Sequence, residues 1–212
     1  MTGIADKKRE SLCLHAVKEY LESDYGALTL TPAYKSYRPD IGRLTGFVPG
    51  IWENASSYCH GSAFKAVMEG MTNRGDEAVQ TIHAILPDTK VNPSDYSGDE
   101  PYVLTNMFFG PEHPYPGKTH FSWVTGTAGW IYRAISQEIA GFLPEYDSVT
   151  IQPVLPKTWD RLTYQRSFRG AFYDVTVYRT GRYKLFLDGK EMEGNHIPIP
   201  EKNSKHILSV EI

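Results

Sequence analysis

Several things are scarce in this chain of 212 residues, and each scarcity excludes something. There are only two cysteines, Cys13 and Cys59, so no disulfide framework is indicated; free buried thiols in a reducing compartment follow, and the cytoplasm is the expected location. There is no excess of positive charge: 22 Lys and Arg stand against 25 Asp and Glu, a net charge of −3, which argues against nucleic acid as a partner. No run approaches the ~18 consecutive apolar residues of a membrane span, and the opening MTGIADKKRESLCLH places charges where a signal peptide needs an apolar core. No Gly-Lys-Ser/Thr element is present, so no nucleotide-binding P-loop is expected.

What the chain has instead is apolar bulk and aromatic surface. Hydrophobic residues make up 41%, enough for a real core. Aromatics make up 13%, with 14 Tyr and 4 Trp set among Gly, Pro and polar residues. Flat apolar faces with polar edges suit sugars, although ordinary core packing accounts for the same composition.

Periodicity divides the chain in two. Leu12, Leu14, Val17, Tyr20 and Leu21 recur at helical spacing and predict a helix over residues 8–22. Residues 24–50 carry Pro32, Pro39, Pro49 and four glycines with no period, and read as a long loop. Ser62–Thr72 predicts a second helix ended by Asn73-Arg74-Gly75, and Asp76 is placed to cap a third running to Leu86, the two forming an antiparallel pair. Residues 87–124 again lack a period and are expected to be a functional loop. A last helix is expected from Thr125–Thr127 to Ile139, burying Trp130, Ile131, Ala134, Ile135 and Ile139. Beyond Ser148 the pattern alternates in short runs, at 149–151, 162–165, 172–178, 184–187 and 207–212. Arg169-Gly170, Thr180-Gly181 and Asp188-Gly189 supply the turns, so an antiparallel sheet or part of a sandwich is expected. The fold class is α+β, with a helical domain over 1–145 and a small β domain over 146–212. The helices are too few to enclose a core by themselves, so the chain is expected to be a piece of something longer.

Two clusters could carry chemistry. The first is Trp52-Glu53-Asn54-Ala55-Ser56-Ser57-Tyr58-Cys59-His60-Gly61-Ser62, where His60 could donate to an anion or sugar and Glu53 could accept from hydroxyls. A capping histidine and a solvated acid explain the same residues, and adjacent Cys59 and His60 are poorly placed to act as a nucleophile pair. The second is Ser122-Trp123-Val124-Thr125-Gly126-Thr127-Ala128-Gly129-Trp130, a small-residue turn opening a helix, whose free N–H groups favour an anion such as phosphate. A plain N-cap at Thr125 or Thr127 is the simpler alternative. His60, His113, His120, Glu112 and Asp99 are metal-ligand types, but their spacing matches no ligand motif, and no metal is expected.

In order and separation these clusters resemble the carboxy-terminal half of glycoside hydrolase family 94, the cellobiose, cellodextrin, laminaribiose and chitobiose phosphorylases. The matching segments are Glu53-Asn54 with Cys59-His60, Pro101-Tyr102-Val103, Trp123 to Trp130, Pro153-Val154-Leu155-Pro156 with Trp159, Phe168-Arg169-Gly170 and Asp188-Gly189. The resemblance implies the last helices of an (α/α)6 toroid followed by a small antiparallel β domain. It implies an enzyme that splits a β-linked disaccharide or oligosaccharide with inorganic phosphate, with inversion and no cofactor, and that is a homodimer when complete.

Residue by residue, His60, Thr125 and Gly126 match the family's phosphate ligands and Glu53 a sugar-contacting glutamate. Asn106 stands where a sugar-contacting glutamine is expected, and Phe47 where some members carry an acceptor-site tyrosine. The family's catalytic aspartate and phosphate-site arginine lie upstream of the Glu-Asn element and have no counterpart here, so the chain alone is expected to be inactive. A non-catalytic carbohydrate-binding module and an inverting (α/α)6 hydrolase are the competing readings.

Overall fold

The computed structural model describes residues 1–88 and 90–212. The chain divides into two compact units, Met1–Glu69 with Glu77–Tyr132, and Gly70–Asp76 with Arg133–Ile212. The architecture is mixed α and β, with few helices and several small sheets.

In the first unit, α1 (Lys7–Ala16) starts at Asp6, whose carboxylate accepts the Arg9 N–H at 2.8 Å, a side-chain N-cap. The helix continues through one π turn, Val17–Leu21, as the apolar spacing predicts. It buries no residue, however: Leu12 is 59% and Tyr20 65% exposed. A short hairpin, β1 (Glu22–Ser23) and β2 (Gly26–Ala27), opens the expected long loop. Then β3 (Ser57–Tyr58) runs directly into α2 (Cys59–Met71), and α3 (Gly75–Ile85) returns beside it. Asn73 breaks the pair by adopting φ +60°, its N–H bonded to Gly70 O, as an asparagine at a helix end can. Ala63, Ala66 and Val67 of α2 and Ala78, Ile82 and Ile85 of α3 are buried.

One ionic cluster ties these elements together. The Lys65 ammonium lies 2.6 Å from Glu69, 2.8 Å from Glu22 and 2.8 Å from the Thr81 hydroxyl, which itself donates to Glu69 at 2.7 Å. Burial raises the Glu69 carboxyl above its usual range against the opposing pull of Lys65.

The aperiodic stretch 87–124, of which Thr89 lies outside the described residues, holds more order than its sequence suggests. It contains α4 (Ser94–Ser97) and the strands β4 (Thr105–Phe108) and β5 (Thr119–Ser122). With β3 these make an antiparallel sheet in the order β3-β4-β5. All four residues of β4 are buried, which removes the alternation that would have betrayed a strand. α5 (Thr127–Arg133) follows, prolonged by a π turn over Ala134–Ile139. Ile131, Ala134 and Ile139 are buried as expected, but Ile135 is 47% exposed.

In the second unit β6 (Phe142–Pro144), β7 (Ser148–Ile151), β8 (Arg161–Phe168), β9 (Ala171–Tyr178), β10 (Lys184–Leu187), β11 (Lys190–Glu191), β12 (His196–Pro198) and β13 (Lys205–Glu211) form two sheets, β11-β10-β13-β9-β8 and β12-β7-β6. Arg169-Gly170 and Asp188-Gly189 adopt positive φ and close two-residue hairpins with registers Phe168↔Ala171 and Leu187↔Lys190. The expectation of a wholly antiparallel sheet fails at one place: β13 pairs with β9 in parallel. The chain leaves this sheet to place β12 beside β7, then returns between β9 and β10, and that insertion fixes the direction.

The core is the alternate set Ala171, Tyr173, Val175 and Val177 of β9 with Leu185, Leu208 and Val210, and Phe142, Val149, Ile151 and Ile197 of the smaller sheet. Phe142 meets Tyr173 edge-on at 5.3 Å. Asp76 lies inside α3 rather than before it, and its carboxylate accepts the Lys157 N–H at 2.7 Å.

Glycine substitutions separate conformational cost from steric cost here. Gly141 has φ +73° and a Cβ there would sit 2.1 Å from Pro153 N, whereas Gly181 has φ +85° with open space around it. Gly181→Ala should cost about 1 kcal/mol and Gly141→Ala more than about 3 kcal/mol, read by urea denaturation. Equal costs would show that backbone conformation alone decides both.

Candidate active site

Strand order brings the two polar clusters together. β3 and β5 both flank β4, so they run in the same direction and deliver their successors to the same end of the sheet. β3 continues into α2, whose second residue is His60, while β5 leads through the turn at 122–126 into α5. The His60 ring lies against Gly126, where a Cβ would come within 2.6 Å of Cε1 and 2.9 Å of Nε2. Only glycine fits there.

Phe64, one turn along α2, holds the other side of the imidazole at 4.6 Å, and Trp130 packs edge-on against Phe64 at 4.5 Å. His60 Nε2 is screened from solvent with no protein partner among the described residues. A buried, unpaired ring nitrogen beside a glycine backbone is the kind of group that a polar ligand would satisfy.

Thr125 caps α5: its hydroxyl accepts the Thr127 N–H at 3.1 Å and lies 2.5 Å from the Thr127 hydroxyl. Thr127 is fully buried and reaches Thr105 O at 3.4 Å, pinning the helix start to the sheet. Asn106, in β4 and 8% exposed, donates from Nδ2 to Val124 O at 2.6 Å. Among the described residues its Oδ1 is buried without a partner.

Glu53 and Phe47 form a second group around Arg43, whose guanidinium lies 3.8 Å from the Glu53 carboxylate and 5.6 Å over the Phe47 ring. Glu53 is exposed. Its neighbour Asn54 is fully buried and saturated, taking the Tyr34 N–H at 2.8 Å and donating to Tyr34 O at 2.9 Å and Phe47 O at 2.8 Å. Asn54 thus fixes both the backbone carrying Glu53 and the loop carrying Phe47.

Two contributors to this region, Phe121 and Glu100, had no sequence signal of their own. Trp52, Ala55, Phe121 and Trp123 all have positive φ, a concentration of backbone strain of the sort found at functional sites. Trp52 packs on Phe121 at 5.1 Å and His120 at 6.0 Å. The Trp123 indole donates to Glu100 at 3.1 Å and meets Tyr102 edge-on at 6.3 Å. Asp99, 3% exposed, has its carboxyl pushed up to about 6 by loss of water and then by the Glu100 charge. Burial, with Asp99 adding to it, pushes the Cys59 thiol far up, which removes it as a nucleophile at neutral pH. Among the described residues no three His, Cys, Asp or Glu side chains gather as a metal would require.

The model of the glycosyl hydrolase 94 superfamily catalytic domain matches residues 1–141. The chain belongs to that superfamily. Over its whole length it is 48% identical to a solabiose phosphorylase of Paenibacillus borealis, of which it covers 28%. It is 32% identical over 93% of its length to a 3-O-beta-D-glucopyranosyl-beta-D-glucuronide phosphorylase of the same organism, covering 26% of it. To an N,N'-diacetylchitobiose phosphorylase of Vibrio furnissii it is 30% identical over 98% of its length, covering 27%. The chain therefore spans little more than a quarter of these glycosyl hydrolase 94 relatives.

Two substitutions probe the frame of the site. Asn54→Ala strands three backbone groups and should cost about 3 kcal/mol in urea denaturation, against under about 0.5 kcal/mol for Glu53→Ala on the exposed side of the same turn. Asp99 has a raised folded pKa, so ionising it lowers stability as pH rises from about 4 through 6. Asp99→Asn should then be more stable than the parent at pH 8, by on the order of 1 to 3 kcal/mol, and equal to it near pH 4. A difference independent of pH would show that Asp99 is not carrying a buried charge.

Proposed function

We propose that this chain is part of an inverting glycoside phosphorylase, supplying the contacts that hold inorganic phosphate. The observation that carries this reading is the seating of the His60 imidazole on Gly126, next to the Thr125 hydroxyl and the first turn of α5. His60 Nε2, Thr125 Oγ1 and the Gly126 N–H are the donors to the phosphate oxygens. Such a site has no use for a general base, because phosphate is already a nucleophile and needs only to be held in line behind the anomeric carbon. A phosphate oxygen bonds to C1 as the glycosidic C1–O bond breaks. The departing oxygen takes its proton from an acid on the opposite face, and a sugar 1-phosphate of inverted configuration results.

That acid, and the cation completing the phosphate site, come from parts of the enzyme outside these 212 residues. The names of the relatives and the quarter of their length that the chain spans support this division. The chain alone is inactive. Glu53 contacts the sugar, with Asn106 and Phe47 shaping the acceptor side, and the substrate is a β-linked disaccharide or short oligosaccharide. Residues 1–145 close an (α/α)6 toroid, 146–212 form the β domain, and the complete enzyme is a cytoplasmic homodimer. Inorganic phosphate is a co-substrate, and no other cofactor takes part.

A chimera tests this reading: the chain replaces the matching quarter of the Paenibacillus borealis relative 48% identical to it. The chimera should release sugar 1-phosphate only when phosphate is present. His60→Ala should lower kcat/KM for phosphate by about a hundredfold or more, the scale of losing a charge-stabilising donor. Turnover in water without phosphate would favour a hydrolase. Sugar binding with no turnover, in a chimera whose parent enzyme is active, would favour a binding module.

A further inference from the structure

The turn that carries Thr125 and Gly126 is not self-supporting. Phe121 and Trp123 have φ of +60° and +70°, a region that side chains with a Cβ enter only when their surroundings hold them there. Val124 N–H bonds to Ser122 O at 2.9 Å and Thr125 N–H to Trp123 O at 3.0 Å, two successive tight turns rather than a regular ladder. Burial does not hold Trp123, since it is 66% exposed, as is Val124 at 65%. Two side chains reach the turn from outside it. Asn106 takes Val124 O from the sheet side. On the other side Glu100 accepts the Trp123 indole N–H at 3.1 Å.

We propose that Glu100 is a positioning residue for the phosphate turn: by anchoring Trp123 it holds residues 122–126 in the strained form that sets Thr125 and Gly126 against His60. The functional half of this inference rests on the phosphate reading above; the structural half does not. Glu100 is suited to the task because its own backbone N–H, Ser122 and Trp123 all favour its ionised form, and its carboxyl is held below the usual range. A charged acceptor gives a stronger anchor than a neutral one. Its sequence neighbour Asp99 does the reverse, being raised to about 6, so below about pH 6 the pair carries its negative charge chiefly on Glu100. The indole, edge-on to Tyr102, is then a lever through which the carboxylate acts on the backbone.

The test uses the 212-residue chain with three variants: Glu100→Ala, Trp123→Phe, which keeps the ring and loses the N–H, and Glu100→Gln, which keeps a carbonyl acceptor. Amide hydrogen exchange of Thr127, whose N–H bonds to Thr125 Oγ1, reports the turn, and Ile131 in the same helix serves as control. Glu100→Ala and Trp123→Phe should each speed Thr127 exchange by about tenfold with Ile131 unchanged, the order expected for one charge-assisted hydrogen bond. The double variant should be no faster than the faster single one, because both remove the same bond. Glu100→Gln should stay within about twofold of the parent. In the chimera described above, Glu100→Ala should raise KM for inorganic phosphate about tenfold.

Unchanged Thr127 exchange in Trp123→Phe, or additive effects in the double variant, would overturn the proposal. If the chimera described above turns over without phosphate while the exchange pattern holds, the phosphate reading fails and the anchoring stands. Should Glu100→Ala fail to fold, Trp123→Phe and Glu100→Gln decide the matter by themselves.

Discussion

A long loop without regular structure leaves its backbone N–H and C=O groups without a ladder to join, and each one buried unpaired costs as much as a lost hydrogen bond. In residues 24–50 that demand is met by a few side chains, and Asn54 meets the largest share of it. Its amide reproduces, in one side chain, the pairing a neighbouring strand would give to Tyr34 and Phe47. Glu112 does the same for the Ala33 N–H at 2.6 Å, and Gly50 and Gly110 bond to one another through their backbones at 2.9 Å. Gly110 can approach only because it lacks a Cβ, which would stand 1.9 Å from Ala55 O. These contacts fasten the loop to the segment around β3, β4 and β5, and the site depends on that sheet.

The sheet then does the geometric work. Because β3 and β5 are parallel neighbours across β4, the residues that follow them emerge side by side: His60 two residues beyond β3 and Thr125 three residues beyond β5. The strain at Phe121 and Trp123 lies at the end of β5, where the chain must turn out of a sheet and into a helix, and that at Trp52 and Ala55 lies on the approach to β3. Backbone held this way is preorganised, so a ligand meets donors already in place and does not have to order them.

Legibility in the sequence followed the physics of each element. Alternation with Arg-Gly and Asp-Gly turns made β8 to β10 readable, because a sheet with one buried face must alternate. β4 was hidden since every one of its four residues is buried, and β12 since its three residues carry too short a pattern. The parallel pairing of β13 could not be read at all, as direction is set by where the chain has been and not by the strand's own residues. At the site, small residues before a helix pointed to 125–127, and the structure places His60 against Gly126. Asn106 was legible as a polar group at a meaningful position, while its bond to Val124 O depends on a register that only the folded sheet defines. Glu100 carried no signal, because its partner, Trp123, lies more than twenty residues away.

On the proposed reading, the same chemistry explains how part of a site can sit on a quarter of an enzyme. An inverting displacement places nucleophile and acid on opposite faces of the sugar ring, so the two sets of residues never need to touch. The phosphate side asks for donors at fixed positions, which His60, Thr125 and a glycine backbone can provide from two adjacent helix starts. The acid side asks for a carboxyl with a raised pKa against the leaving oxygen. Asp99 has a raised pKa, but it lies buried near Cys59, so its perturbation reflects burial and its charged neighbour Glu100 rather than a catalytic role. A perturbed carboxyl near a site is therefore not enough to name the proton donor; it must also face the space where the substrate lies.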